Sequence, residues 1–136
     1  MREAVIRSLK DLRVDYLDLY LIHYPIALKY KEPPIKYPGW IHDESAKVPR
    51  MELDEGVTYQ QTWEAMEGLV REGLVRNIGV SNVASGKILD ILKYAKIKPA
   101  IVQNEIHPYL TQDKLIKFVR QQGVQVMAYS QFGDLS

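Results

Sequence analysis

The chain alternates between short apolar runs and amphipathic segments of helical period. Four apolar runs each end in a small polar cluster, and they are Leu19–Pro25, Val75–Asn82, Ala100–Pro108 and Val124–Phe132. Parallel strands need helical crossovers between them, so this alternation favours a parallel α/β sheet. Polar groups at the carboxyl ends of such strands converge on one face, where ligands bind. The pattern therefore predicts part of an enzyme mouth.

Apolar spacings of three and four residues predict the helices between these runs. The predicted helices cover residues 2–12, Thr58–Glu72, a segment from about Ser85, and a segment from about Gln112 to Gly123. The predicted strands are Val14–His23, Val75–Val80, Ala100–Glu105 and Gln125–Ser130. In the first helix, Val5, Ile6, Leu9 and Leu12 share one face and are expected to point inward.

Helix–strand units recur about every 25 residues, the rhythm of a (β/α)-barrel whose complete form takes about 250 residues. Four strands make half of such a barrel or a small open sheet of the doubly wound kind. In either case we expect residues 1–136 to form a single domain. The connection of about residues 28–56 is unusually long and rich in Lys, Pro, Gly and Asp. Such connections are functional lids or disordered segments, and this one should overhang the strand ends.

Composition excludes several function classes. A formal net charge of +1 gives no electrostatic reason to expect nucleic acid or an anionic membrane as partner. The absence of cysteine excludes disulfides, thiolate catalysis and cysteine-ligated zinc, and the three histidines lack metal-ligand spacing. No apolar run approaches the ~20 residues of a membrane span, so a cytoplasmic protein is expected. Phosphate-binding glycine loops of the GxGxxG and GxxxxGK kinds are absent.

Four sequence blocks resemble consecutive blocks of the aldo-keto reductase family, in order and at the family's spacing. They are DYLDLYLIHYP, WEAMEGLVREGLVRNIGVSN, VQNEIHPYL and AYSQFG. The long insertion with YPGW resembles the lid of the fungal aldose (xylose) reductase group. The resemblance covers nearly the whole chain. It implies a partial TIM-type (β/α)-barrel, NADPH as the usual cofactor, and hydride transfer to an aldehyde or ketone such as an aldose.

The resemblance also implies substrate-facing residues. A lone histidine is more often a core residue bonded to backbone, but in the I-H-x-P block His23 would hydrogen-bond and polarise the substrate carbonyl. Tyr24 beside it would line the substrate pocket. In the long connection, Trp40 with Tyr37 and Ile41 would close over the substrate, or would form an exposed aromatic patch.

A second set would hold the cofactor. By resemblance, Ser81, Asn82 and Gln103 contact the nicotinamide carboxamide, which offers one acceptor and two donors. Taken alone, the Ser-Asn pair equally suits a cap or turn before the third helix. Tyr129 would stack on the nicotinamide ring, with plain core packing as the alternative.

After the last strand, the sequence departs from the family pattern at one position. Ser130 and Phe132 would approach the cofactor's pyrophosphate, but Gln131 stands where the family usually has serine or proline. Glu105 is interpreted as a structural ion-pair residue at the barrel rim.

The family's proton-donating tyrosine, with its lysine and aspartate, aligns before Met1, and the segment that grips the adenosine 2′-phosphate aligns after the last strand. We therefore expect the 136-residue chain alone to show little or no reductase turnover. Two function classes stay open. One is an NADPH-dependent oxidoreductase; the other is a non-catalytic half-barrel that dimerises or binds a partner protein through open strand edges.

Overall fold

A computed structural model describes residues 1–31 and 51–133. In these residues four helices alternate with four strands, which confirms the α/β class. The helices are α1 (Arg2–Leu12), α2 (Tyr59–Arg71), α3 (Ser85–Tyr94) and α4 (Asp113–Gln121). The strands are β1 (Leu17–Ile22), β2 (Val75–Ser81), β3 (Ile101–Glu105) and β4 (Gln125–Tyr129).

All strand pairs are parallel, and each strand lies beside the next one along the chain, in the order β1-β2-β3-β4. A doubly wound sheet reverses its strand order at a switch point, whereas a barrel adds strands in one direction. The sequential order therefore selects the partial TIM-type barrel over the open doubly wound sheet.

The hydrophobic core lies between the helices and one face of the sheet. Its largest fully buried side chains are Trp63, Met66, Leu69, Ile78, Ile88 and Ile91. Helix α2 begins with a capping box, in which Thr58 and Gln61 satisfy each other's backbone N–H groups. Burying an apolar side chain of this size contributes about 1.5–3 kcal/mol. Helix α2 supplies three of these six side chains, more than any other element.

Buried polar contacts attach α2 to the segment before β3. The Glu67 carboxylate, 1% exposed, accepts from the backbone N–H groups of Lys96 and Ile97 at 2.7 and 2.9 Å. One turn earlier, the Trp63 indole N–H donates to the Ile97 carbonyl at 3.1 Å. Since residues four apart share a helix face, two side chains hold one short segment of backbone.

Two expectations for the start of the chain are wrong in detail. Strand β1 begins at Leu17 rather than Val14, because Arg13 ends α1 in a left-handed conformation (φ 57°) and Val14 N–H bonds back to Leu9. On α1, Val5 and Leu9 are buried as expected, but Ile6 and Leu12 are 40% and 62% exposed. The apolar face of α1 is wider than the surface that the described residues offer it.

The ends of the long connection run antiparallel to each other. Leu28 and Leu53 form an isolated bridge, and backbone bonds join Lys29 to Glu52 and Asp54 to Ala27. This stem leaves the carboxyl end of β1, as the sequence predicted for the connection. The predicted substrate residue Trp40, with Tyr37 and Ile41, lies outside the described residues.

Within residues 1–31 and 51–133, no helix combines the length and the apolar character that a membrane crossing requires.

Candidate active site at the carboxyl ends of the strands

Asn82 connects three strand ends. It follows β2 in a left-handed conformation (φ 56°), which asparagine tolerates better than most side chains. Its Nδ2 donates to the backbone carbonyl of His23 after β1 at 2.9 Å, and its Oδ1 accepts from the Tyr129 hydroxyl of β4 at 2.6 Å. A carbonyl can only accept, so this contact fixes which end of the amide faces β1.

Ser81 and Gln103 lie beside Asn82 on neighbouring strands. Ser81 is 1% exposed, donates to the Gln103 carbonyl at 2.8 Å and accepts from Asn82 Nδ2 at 3.2 Å. The two residues are also partners in the β2–β3 register. The Gln103 side chain donates to the Met127 sulfur at 2.8 Å. Thioether sulfur is a weak acceptor, so the Gln103 amide can exchange this contact for a ligand.

Tyr129 ends β4 with its ring half-buried and its hydroxyl bonded to Asn82. Burial raises the pKa of this hydroxyl, and the nearby charge of Glu105 and the hydroxyl of Tyr24 raise the pKa further. Tyr129 is therefore neutral at physiological pH and keeps the proton that it donates to Asn82. Its hydrogen bond to Asn82 argues against the alternative of plain core packing.

His23 and Tyr24 form an exposed aromatic pair where β1 ends. Their ring centroids lie 4.6 Å apart with planes at 29°, a stacked arrangement. Such pairs contribute about 0.5–1.5 kcal/mol beyond the area that they bury. Stacking thus restricts the His23 imidazole at the open face of the sheet, where a ligand can reach it.

Glu105 ends β3 with its carboxylate against a histidine, a contact that is the predicted ion pair only when the imidazole is protonated. Its Oε1 lies 3.0 Å from Nε2 of His107, whose side chain is 12% exposed. Sequence reasoning treated His107 only as part of a turn and missed this contact. The E-x-H spacing was the available signal, because residues two apart after a strand can face the same side.

Ser130 and Phe132 follow β4 in a turn outside this network. Ser130 is left-handed (φ 51°) and exposed, and Phe132 is 99% exposed. Gln131, where the sequence departs from the family pattern, donates to the Ala128 carbonyl at 2.7 Å and so closes the turn. The structure therefore brings together His23, Tyr24, Ser81, Asn82, Gln103 and Tyr129, but leaves Ser130 and Phe132 beside them.

The polar set suits a carboxamide ligand. With both Nδ2 protons used within the protein, Asn82 offers only a lone pair of Oδ1, an acceptor for an amide N–H. The Ser81 hydroxyl proton is engaged by Gln103, so the donor for a ligand carbonyl is the Gln103 side chain. An acceptor and a donor on adjacent strands match the two ends of a carboxamide. Residues of this set fit the head of a nicotinamide cofactor.

A cavity of about 650 Å³ lies beside this set at the strand ends. Asn82, Asn104, Glu105 and Tyr129 line it together with side chains from α3 and α4. Buried Asn104 closes its floor by bonding both the N–H and the carbonyl of Val83. Strand ends and the following loops thus form a concave polar surface.

Comparisons with known proteins agree with this geometry. The model of the Aldo/keto reductase family matches residues 1–134. The chain is 48% identical over 131 residues to the "Probable NAD(P)H-dependent D-xylose reductase xyl1" of Emericella nidulans. It is 47% identical over 132 residues to the "NAD(P)H-dependent D-xylose reductase xyl1" of Aspergillus niger. Both alignments cover 96% of this chain and 40% of the relative, so the chain spans about two fifths of the length of these curated relatives.

Solved structures give the same result. The aldose reductase of Giardia lamblia superposes with a TM-score of 0.81 at 43% identity, covering 95% of this chain and 40% of that one. The Bombyx mori aldo-keto reductase, solved in complex with NADP, superposes with a TM-score of 0.76 at 37% identity, covering 94% and 35%. A family match over almost every residue, together with this strand order, shows that the chain belongs to the aldo/keto reductase family.

Proposed function

We propose that the strand-end face binds the nicotinamide of NADPH and serves the reduction of an aldehyde or ketone, with an aldose such as xylose as the substrate class. One observation carries the proposal most directly: hydrogen bonds join the ends of β1, β2 and β4 through Asn82. Family membership and relatives named as NAD(P)H-dependent D-xylose reductases support it.

Each residue of the face has a role in this proposal. Asn82 and Gln103 hold the carboxamide, Ser81 orients Asn82, and Tyr129 stacks on the ring. The bound cofactor, when reduced, supplies the hydride. His23 donates a hydrogen bond to the substrate carbonyl oxygen, which polarises the carbonyl and stabilises negative charge developing on that oxygen. Tyr24 lines the pocket and restrains the His23 ring.

Three assignments rest on resemblance alone. Ser130 and Phe132 approach the pyrophosphate; because both are exposed, the cofactor itself would have to cover them. Trp40, which lies outside the described residues, is assigned to the substrate pocket by the resemblance. The resemblance assigns the proton-donating tyrosine to no residue of this chain. We therefore propose that the 136-residue polypeptide by itself turns over slowly or not at all, since general-acid help contributes about 10²–10⁴-fold.

Cofactor binding and turnover are tested separately on the purified 136-residue chain. NADPH binding is followed by calorimetry, with Asn82→Asp as the site variant and Asn77→Asp as its matched control. Both asparagines donate to a backbone carbonyl at 2.9 Å, but Asn77 lies at the amino end of β2 and its acceptor is Asp18 in β1, whereas the acceptor for Asn82 is His23 just after β1. Aspartate keeps the acceptor oxygen but loses the Nδ2 bonds that orient it, so binding that Asn82→Asp weakens and Asn77→Asp preserves supports the proposal. Equal binding in all three proteins contradicts it. NADPH oxidation with an aldose then measures turnover.

A second candidate function is an interaction module. In the described residues, β1 and β4 each pair with one strand only, and an unpaired strand edge invites another strand. The inner face of the sheet is half-exposed along β4. We propose that the 136-residue polypeptide, if it acts without turnover, dimerises or binds a partner protein through these edges. Light scattering after size exclusion tests this, and a monodisperse monomer would count against self-association.

A further inference from the structure

Glu105 lies on the ligand-facing side of β3, one step beyond Gln103. Val102 and Asn104 are buried on the helix side, so the alternating residues Gln103 and Glu105 face the other way. In the register with β4, Gln103 is the partner of Met127 and Glu105 is the partner of Tyr129. Because Gln103 contacts the Met127 sulfur, the side chains of these two residues lie on the same side of the sheet.

The Glu105 side chain is held in place at the strand end. Its Oε1 lies 3.0 Å from His107 Nε2, and its own backbone carbonyl accepts from Gln112 Nε2 at 2.6 Å. In the described part of the chain, its side-chain partner is this imidazole rather than a lysine or arginine. The negative charge of Glu105 is therefore not cancelled by a permanently charged side chain of the described residues.

The field of this carboxylate reaches the neighbouring aromatic ring. Its charge helps to raise the pKa of the Tyr129 hydroxyl, because an anion disfavours a second negative charge nearby. The same field favours a positive charge at that place. Oxidised nicotinamide carries one positive charge on its ring and the reduced ring carries none.

We propose that Glu105 determines the redox preference of the site, by favouring the oxidised, cationic nicotinamide over the reduced, neutral one. A ring bracketed by Gln103 and Tyr129 has the Glu105 carboxylate as its neighbour along β3. The inference rests on the proposed function. The rest of the cofactor is common to both forms, so the ratio of their two dissociation constants isolates the ring charge.

Calorimetry on the purified chain gives both dissociation constants, for NADP⁺ and for NADPH, at low ionic strength and about pH 8. Glu105→Gln keeps the size of the side chain and one acceptor oxygen, and removes its charge. Asp113→Asn is the matched control, since this exposed carboxylate lies on α4 and accepts from Thr111. Glu105→Gln should weaken NADP⁺ binding about three- to tenfold and change NADPH binding less than about twofold. Asp113→Asn should leave the ratio unchanged.

Each outcome separates the inference from its premise. An equal change in both constants, or no change, overturns the role of Glu105 while leaving cofactor binding intact. Failure of the unsubstituted chain to bind either form overturns the proposed function and the inference with it. Two measurements guard against misfolding of the variant: Glu105→Ala should shift the ratio in the same direction, and added salt should lower the preference of the unsubstituted chain for NADP⁺ by screening. A salt-independent ratio contradicts the inference.

Discussion

The Tyr129 hydroxyl donates a hydrogen bond of 2.6 Å to Asn82 Oδ1 across a sequence separation of 47 residues. Since Asn82 Nδ2 is held by the His23 carbonyl, both ends of one amide are used to join three strand ends. The predicted carbonyl-polarising residue and the predicted cofactor residues are thus parts of one hydrogen-bonded unit. A substitution of Asn82 or Tyr129 should therefore affect the other two positions, whereas His23 takes part through its backbone carbonyl.

Asn82→Asp should destabilise the chain by about 1–3 kcal/mol, because a carboxylate oxygen then faces the His23 carbonyl and the donor is lost. Aspartate tolerates the left-handed backbone, so strain does not confuse the result. Chemical denaturation measures the free energy of unfolding. Asn77→Asp, at an exposed position, should cost less. An equal cost for both variants would show that the Asn82 contact is no more than a surface hydrogen bond.

Tyr129→Phe keeps the ring and removes only the hydroxyl. Asn82 Oδ1 then loses its partner, which should cost about 0.5–1.5 kcal/mol of stability and loosen the amide. We expect cofactor affinity to fall several-fold, because the amide is no longer pre-oriented. Tyr109→Phe is the control, with a side chain that is 95% exposed. Unchanged stability and affinity in Tyr129→Phe would mean that the hydrogen bond contributes nothing.

Alkaline pH should destabilise the chain through Tyr59. Burial raises the pKa of this hydroxyl, and Tyr94 raises it further, so the folded chain keeps a proton that the unfolded chain loses above about pH 10. The sign follows from proton linkage: stability is complete below pH 10 and falls as pH rises, by about 1.4 kcal/mol per pH unit for one group. Tyr59→Phe should flatten the fall measured by denaturation at several pH values.

The same variant has a second expected effect near pH 7. The Tyr59 hydroxyl is buried and has no hydrogen-bond partner among the described residues. Removing an unsatisfied buried polar group is neutral or stabilising, so Tyr59→Phe should not lower the melting temperature. A clear loss of stability at neutral pH would point to an unseen partner for this hydroxyl.

Glu67→Ala should destabilise the chain by about 1–3 kcal/mol, since it removes a buried carboxylate and leaves two part-buried backbone N–H groups without their acceptor. These groups belong to Lys96 and Ile97, directly before β3. Glu64→Ala, an exposed position on the same helix, is the control and should change the melting temperature little. If both variants lowered the melting temperature equally, the Glu67 hydrogen bonds would not be what positions the segment before β3.

Gly79→Ala should disturb the sheet itself. A Cβ at this position would lie 2.5 Å from the Ile101 carbonyl oxygen and 2.7 Å from a Leu21 methyl carbon, so β2 and β3 must shift. Overpacking of this kind costs about 1–3 kcal/mol, and the shift should also weaken cofactor binding. Gly86→Ala, on α3 with nothing within 4 Å, should stabilise by about 0.5–1 kcal/mol. Opposite signs in the two unfolding curves are the expected result.

Local patterns predicted most of the architecture. Gly73 and Gly123, both at positive φ, end helices as expected, and Thr58 caps α2. Periodicity failed for Ile6 and Leu12, because it identifies an apolar face but not how much of that face finds a partner. The predicted start of β1 at Val14 is wrong. The left-handed residue that ends α1 is Arg13, and an arginine does not mark a helix end in the sequence as a glycine does.

The candidate site residues were predicted from sequence mainly through the family resemblance. Periodicity placed Asn82 and Tyr129 at strand ends, but residues alone left a helix cap or core packing equally open. Hydrogen bonds between residues far apart in sequence, such as Asn82 to His23, depend on strand register and could not be read from spacing. The pairing of Glu105 with His107 is local and was within reach of the sequence.

The central claim is that the carboxyl ends of the four strands form one cofactor-binding face, and backbone NMR of the ¹⁵N-labelled 136-residue chain during titration with NADP⁺ tests it most directly. The account predicts saturable shift changes concentrated at His23, Ser81, Asn82, Gln103 and Tyr129, with little change at Asn77 and Arg76 at the opposite end of β2. Titration without saturable changes, or changes centred away from these strand ends, would contradict it.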